Sequence, residues 1–187
     1  PTFLAAMIVV RLQGIVGREV SPEHFAVVTV GTLTSGHTNN TIPGSATLVL
    51  NCRFYDDDVK ARTYAAIERV VRGECIASGC EKEPTFTYSN HGELTDNSPE
   101  VFGKVRPLFD AVFEDASVDA QRWTASEDFS EVPRAFGVPY FFWLIGANSD
   151  EADAPGNHMP DFLPDYEPVV SASNRAALAA VLAYLAV

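Results

Sequence analysis

The side chains of this sequence best suited to chemistry are Asn40, Arg53, the neighbouring Glu127 and Asp128, and His158. Arg53 closes the stretch GHTNNTIPGSATLVLNCR, residues 36–53, in which a polar turn runs into an alternating strand. Ala46, Leu48, Leu50, Cys52 and Phe54 fall on one face of that strand, and Thr47, Val49, Asn51, Arg53 and Tyr55 on the other. An arginine in that setting is either solvated or salt-bridged, or it displays its planar fork of donors to a carboxylate. Asn40 sits in the preceding turn among Ser35, Gly36, Asn39 and Pro43, which bend the backbone and present polar groups. His158 lies in a Pro-, Gly- and Asp-rich loop after the apolar run Pro139–Ala147, and its imidazole is either a metal ligand or an exposed loop group. Zinc needs three or four ligands, and His24, His37 and His91 have no ligand spacing to one another. Glu127 and Asp128 are adjacent, so on a helix they diverge by about 100° and suit capping better than a facing acid–base pair.

Other chemistries find no support. The 187 residues contain no G-x-S-x-G, P-loop, G-x-G-x-x-G or basic-aromatic pattern, which leaves nucleophilic, nucleotide and nucleic-acid readings empty. A net charge of -12 repels nucleic acid and acidic membranes, so small molecules and proteins are the expected partners. The longest early apolar run, Phe3–Val10, is too short to span a bilayer, and no secretory signal is visible. Three cysteines, Cys52, Cys75 and Cys80, form no C-x-x-C pair and are odd in number, which fits reduced thiols and predicts a cytoplasmic protein.

The elements that must position these groups follow from periodicity. Leu4, Met7, Ile8, Leu12 and Ile15 recur at helical spacing from the first turn, as if the chain began inside an element, and Gly17 with Ser21-Pro22 ends that helix. Phe25–Leu33 reads as a strand, and the strand ending near Arg53 follows. Asp56, Asp57 and Asp58 predict the start of a helix with an inner stripe of Val59, Ala66, Ile67, Val70 and Val71, closing near Gly79. Pro84–Ser89 alternates and predicts a third strand. The order is a ferredoxin-like pattern without its first strand. Beyond a boundary near Leu94–Asn97, Asn97 or Ser98 caps a helix lined by Val101, Val105, Leu108, Phe109 and Val112. A short helix to Phe136, a strand over Pro139–Ala147 buried on both faces, a loop over Asn148–Asp165 and a helix over Val169–Leu185 complete the prediction.

Taken together, these motifs resemble the M20 metallopeptidase family, and in particular its amidohydrolase branch of hippurate, N-acyl-amino-acid and indole-acetyl-amino-acid hydrolases. The resemblance rests on Arg18-Glu19 with Pro22, VVTVGTLTSG, Asn40-Thr41-Ile42-Pro43, Arg53, Ser126-Glu127-Asp128-Phe129 and Asn157-His158-Met159-Pro160-Asp161-Phe162. Thr41 and Gly44 stand where the branch more often has valine and an acidic residue, and His37 is unusual in the turn. The resemblance implies an α/β (α+β) chain in two parts. Residues 1–95 would be a ferredoxin-like lid and dimerisation domain lacking its first strand, and 96–187 the C-terminal part of a zinc-peptidase-like catalytic domain. It implies two divalent metals per complete site (zinc, manganese, nickel or cobalt), with His158 as one ligand. Arg53 would hold the carboxylate of an N-acyl amino acid or small peptide, and Asn40 would reach the substrate across a homodimer. No catalytic base of the family matches in this chain, so the expectation is an incomplete hydrolase that works with a missing N-terminal half. The alternative is a non-catalytic dimerisation or small-molecule-binding module.

Overall fold

The computed structural model describes residues 1–89, 91–148 and 154–185, so part of the Asn148–Asp165 loop, residues 149–153, lies outside the described residues. The chain divides into two compact units, Pro1–Leu94 and Thr95–Val187.

The first unit is built on a hairpin. Helix α1 (Thr2–Glu19) is followed by β1 (Ala26–Ser35), β2 (Ala46–Phe54) and helix α2 (Asp57–Ala77). The two strands form an antiparallel pair with Val28 opposite Cys52 and Val30 opposite Leu50. The register slips between Val30 and Thr32, so Gly31 is the extra residue of a bulge, and Thr32 pairs with Val49 and Leu33 with Leu48. That slip keeps Leu33 on the face of Val28 and Val30, where strict alternation would have turned it away. The inner face of the hairpin packs on α1 and α2. Ile8, Leu12, Ile15, Ala66 and Ile67 are its buried centre, with Val28, Val30, Leu48, Leu50 and Cys52 against it. Leu12 and Ile15, each 1% exposed, contribute about 1.5–3 kcal/mol apiece by leaving water. Helix α2 starts where the aspartates predict: Asp56 accepts from the Val59 backbone N–H at 2.8 Å, and Asp57 and Asp58 place negative charge in the first turn.

The third strand predicted over Pro84–Ser89 is not formed; among the described residues the one sheet is the β1–β2 pair. Alternation supplies a face to bury, but a ladder also needs a partner edge. The segment instead lays its side chains on α2: Tyr88 donates to Glu68 at 2.7 Å and stands 5.3 Å from the Tyr64 ring, and the Arg72 guanidinium lies 4.9 Å over Phe86.

The second unit packs α3 (Pro99–Phe113) against α5 (Tyr166–Leu185), with the short α4 (Glu131–Ala135) between them in sequence. Ser98 caps α3, accepting from the Val101 N–H at 3.4 Å, and Pro99 occupies the first turn where no N–H is needed. Val105, Phe109, Ala176 and Ala179 are the buried centre, with Phe141, Trp143 and Ile145 packed on it. Helix α5 begins at Tyr166, earlier than the expected Val169, because Pro168 is tolerated within a first turn; Ser171 and Ser173 therefore lie inside the helix. By length and composition alone α5 could cross a membrane.

The predicted doubly buried strand over Pro139–Ala147 is also not a strand, and Leu144 is 51% exposed. The segment is pinned by side chains rather than by a ladder. The Asn97 amide brackets Phe142, donating to its carbonyl at 2.9 Å and accepting from its N–H at 2.6 Å, while the Ser98 N–H donates to the Tyr140 carbonyl. Its odd-numbered side chains feed the core and its even-numbered Tyr140 and Phe142 meet Phe129, so the apolar run reflects two aromatic contacts and not burial within a sheet.

Candidate functional site

Arg53 lies opposite Val27 on the outer face of the hairpin, the face also formed by Thr29, Asn51, Thr34 and Thr47. Its Nε donates to the Asn51 Oδ1 at 3.1 Å, which orients the guanidinium along the strand. The outer face carries Thr29, Thr34, Thr47 and Asn51 with Val27 and Val49, whereas the inner face is the core, so the strand displays a half-buried Arg53 outward as its alternation predicts.

Asn40 belongs to the turn, residues 36–45, that closes the same hairpin, and it is exposed, as is His37. The base of the turn is tied by Thr2 and Ser35, whose hydroxyls are hydrogen-bonded at 2.8 Å, and by the Ser35 hydroxyl donating to the Ser45 carbonyl at 3.3 Å. Gly36 is required there: its φ is +70°, and a Cβ would stand 2.7 Å from the Pro43 ring. Ser35 is legible as a turn residue, whereas the part of Thr2, a distant hydroxyl at the start of α1, carries no local signal in the sequence. Ala46, which leaves the turn, is seven residues from Arg53, or about 23 Å along an extended strand. The hairpin thus carries Asn40 at its turn and Arg53 near its other end.

A concavity of about 360 Å³ in this unit lies between α1 and α2 and is lined by Glu19, Thr63 and Arg69 among others. Neither Asn40 nor Arg53 takes part in it. Of its three charged side chains, Glu19, Arg62 and Arg69, two are spent on each other, Arg69 holding both Glu19 oxygens at 2.6 and 2.7 Å.

His158 occupies one of two successive tight turns in which the Met159 N–H donates to the Gly156 carbonyl and the Phe162 N–H to the Met159 carbonyl. It is exposed, and its backbone is left-handed, with φ at +69°. Non-glycine residues rarely adopt that conformation, and when they do the position is a candidate for function. The loop is fastened at its base: the Asp165 N–H donates to the Ala147 carbonyl at 2.8 Å and the Asn148 amide to the Leu163 carbonyl at 3.0 Å. Glu127 caps the turn before α4, its Oε1 accepting from the N–H groups of Asp128 and Phe129 at 3.0 and 3.1 Å. Helix α4 itself starts from Ser130 with no side-chain cap, so the helix capping read from the sequence is replaced by this local turn bond.

Among the described residues no group of three or more His, Cys, Asp and Glu side chains could hold a metal ion. His158 would therefore be a single ligand, and these residues do not fit a complete metal site. The perturbed titrations lie elsewhere and have structural causes. Hydrogen bonds from Tyr88 and Arg72 hold the Glu68 carboxyl below its usual range, and burial with the Glu68 bond pushes Tyr88 up to about 12. Burial likewise pushes the Cys52 thiol up.

Comparison with known proteins places this geometry in a family context. The chain is 29% identical over 131 residues to a hippurate hydrolase from Campylobacter jejuni, covering 69% of this chain and 34% of the relative. It is 27% identical to thermostable carboxypeptidase 2 from Saccharolobus solfataricus, over 88% of this chain and 41% of the relative. An N-acetyldiaminopimelate deacetylase from Bacillus subtilis is 29% identical over 90% of this chain and 43% of its own length. Two solved structures share the fold at 23% identity: an aminohydrolase from methicillin-resistant Staphylococcus aureus, with a TM-score of 0.79 over 97% of this chain and 46% of the other, and the Bacillus subtilis YXEP protein, with 0.74 over 98% and 46%. The latter is described as a dinuclear metal-binding peptidase from the M20 family. No family model matches the chain. The chain is thus similar to M20 amidohydrolases and peptidases and has the mixed helix and strand fold of that family's structures, while spanning less than half the length of these relatives.

Proposed function

We propose that this chain is part of a metal-dependent amidohydrolase of the M20 type that cleaves the amide bond of an N-acyl amino acid or small peptide. The observation that carries this reading is a similarity to hydrolases of amide and peptide bonds that runs through both units. In this reading residues 1–95 are the lid and dimerisation domain and 96–187 the C-terminal part of the catalytic domain. Arg53 holds the substrate carboxylate with two parallel donors. A hairpin with Asn40 at its turn and Arg53 near its other end supports a site that draws the two residues from different copies of a homodimer. His158, exposed in its left-handed turn, donates one ligand to a centre of two divalent ions: zinc, manganese, nickel or cobalt. Such a centre would supply the electrophilic and water-activating chemistry. The other ligands and the general base then come from polypeptide beyond these 187 residues. Unpaired cysteines and a charge of -12 support a cytoplasmic protein that engages neither nucleic acid nor membranes.

The test compares the isolated chain with the chain plus a polypeptide corresponding to the remaining length of its relatives. Metal content and hydrolysis of hippurate are measured for both. We expect neither from the chain alone, both from the mixture, and loss of turnover with His158→Ala; stoichiometric metal and turnover from the isolated chain would overturn the assignment. Sedimentation over a range of concentrations tests the dimer, and a monomer throughout would remove it. A second reading, a non-catalytic dimerisation or small-molecule-binding module, is favoured by the lack of a three-ligand cluster among the described residues, and it predicts that the mixture gains nothing.

A further inference from the structure

Cys75 and Cys80 flank the end of α2 in a motif that brings side chains together. The helix closes with the Cys80 N–H donating to the Cys75 carbonyl at 3.0 Å, the Gly79 N–H donating to the Ile76 carbonyl at 3.0 Å, and Gly79 left-handed at φ +67°. This is the Schellman arrangement, in which the residue after the glycine folds back on the residue five positions earlier and a contact between their side chains is frequent. Standard bond lengths on either side of that 3.0 Å hydrogen bond keep the two Cα atoms within about 7 Å, the outer limit a disulfide can bridge. Both thiols are free, Cys75 half-buried and Cys80 exposed. Closeness of the sulfurs also shows in the titration of Cys75: burial pushes its thiol up, and the Cys80 thiol beside it raises it further.

We propose that Cys75 and Cys80 are a reversible thiol–disulfide modification site that takes a small disulfide such as oxidised glutathione as its oxidant. The exposed Cys80 thiolate attacks one sulfur of glutathione disulfide, forming a mixed disulfide and releasing one glutathione thiolate. The Cys75 thiolate then attacks the Cys80 sulfur, forming the intramolecular disulfide and releasing the second glutathione thiolate. The two protein thiols lose two protons and two electrons, and the glutathione disulfide gains both electrons. The product staples the last turn of α2 to the segment that leads to Glu83, paired with Arg72, and on to Tyr88, paired with Glu68. Cys52 takes no part, because it lies against the core between the hairpin and the helices.

The experiment treats the purified chain with oxidised glutathione near pH 8, blocks remaining thiols by alkylation, and maps the tryptic peptide Gly73–Lys82, which carries both cysteines. The expected product is that peptide two hydrogens lighter and unalkylated, with Cys52 alkylated, reverting on addition of reduced glutathione. The Cys75→Ser protein should instead stop at a glutathione adduct on Cys80. A wild-type peptide that stays alkylated at both cysteines, keeps a stable glutathione adduct, or cross-links to a second copy through Cys80 would overturn the proposal.

Discussion

Arg53 is held at its Nε by Asn51 on a face that the hairpin keeps out of the core, so under the proposed function replacing it should perturb recognition more than packing. If the proposed function holds, Arg53→Lys should lower kcat/KM of the reconstituted hydrolase for an N-acyl amino acid by about 10- to 150-fold, the equivalent of losing a charge-assisted hydrogen bond of about 1.5–3 kcal/mol. An unchanged kcat/KM would remove Arg53 from the carboxylate site. Gly36 is the complementary case, a residue with no chemistry that sets where chemistry goes. Gly36→Ala combines a left-handed φ of +70° with a 2.7 Å approach to Pro43, so it should destabilise the first unit by about 1 kcal/mol or more and displace the turn that bears Asn40. Denaturant unfolding checks the first effect. If Asn40 acts, KM of the assembled enzyme should rise by more than the stability loss explains.

At the scale of elements, periodicity was a reliable guide wherever one chain segment could satisfy its own backbone. Helices α1, α2 and α3 fall where the stripes of Leu12 and Ile15, of Val59 and Ile67, and of Val105 and Phe109 place them. The hairpin was legible too, because β1 and β2 are consecutive and each gives the other an edge. Pro84–Ser89 and Pro139–Ala147 misled because alternation and apolarity report burial, while a strand also needs a neighbour that no local pattern encodes. The candidate site was legible only as separate residues: Arg53, Asn40 and His158 could be singled out by type and setting, but not how the hairpin spaces two of them. The Pro84–Ser89 segment depends on side chains, which makes it pH-sensitive. Glu68 is held below its ordinary 4.5, so its contribution is present above that value and lost as pH falls through the lowered one. Tyr88 is raised from 10.0 to about 12, so its contribution is present below pH 10 and lost as pH rises towards 12. Backbone exchange protection around Tyr88, corrected for intrinsic rates, should be greatest between about pH 5 and 10 and fall at both ends, and Tyr88→Phe should flatten the alkaline limb.

For the whole molecule the informative feature is apolar surface that the fold leaves in water. Leu178, Val181, Leu182 and Leu185 recur on α5 at the spacing of one helical face, and they are 59%, 52%, 42% and 71% exposed. The opposite side of the helix already buries Ala176 and Ala179 against α3, so this stripe is a second apolar face and not the edge of the first. A contiguous apolar patch of this kind marks an interaction site. The relatives are more than twice as long as the stretch matched here, so under the proposed function the occupant to test is polypeptide corresponding to their remaining length. If that is the occupant, the isolated chain should bind an apolar dye such as ANS, and the signal should fall when the remaining polypeptide is added. Leu178→Glu with Leu182→Glu should weaken that association by at least tenfold, since two buried leucines are each worth about 1.5–3 kcal/mol. The same pair should destabilise the isolated chain far less than a core substitution would, because Leu178 and Leu182 are 59% and 42% exposed there. Dye binding that persists in the mixture, or an association indifferent to both glutamates, would mean that α5 meets a different surface.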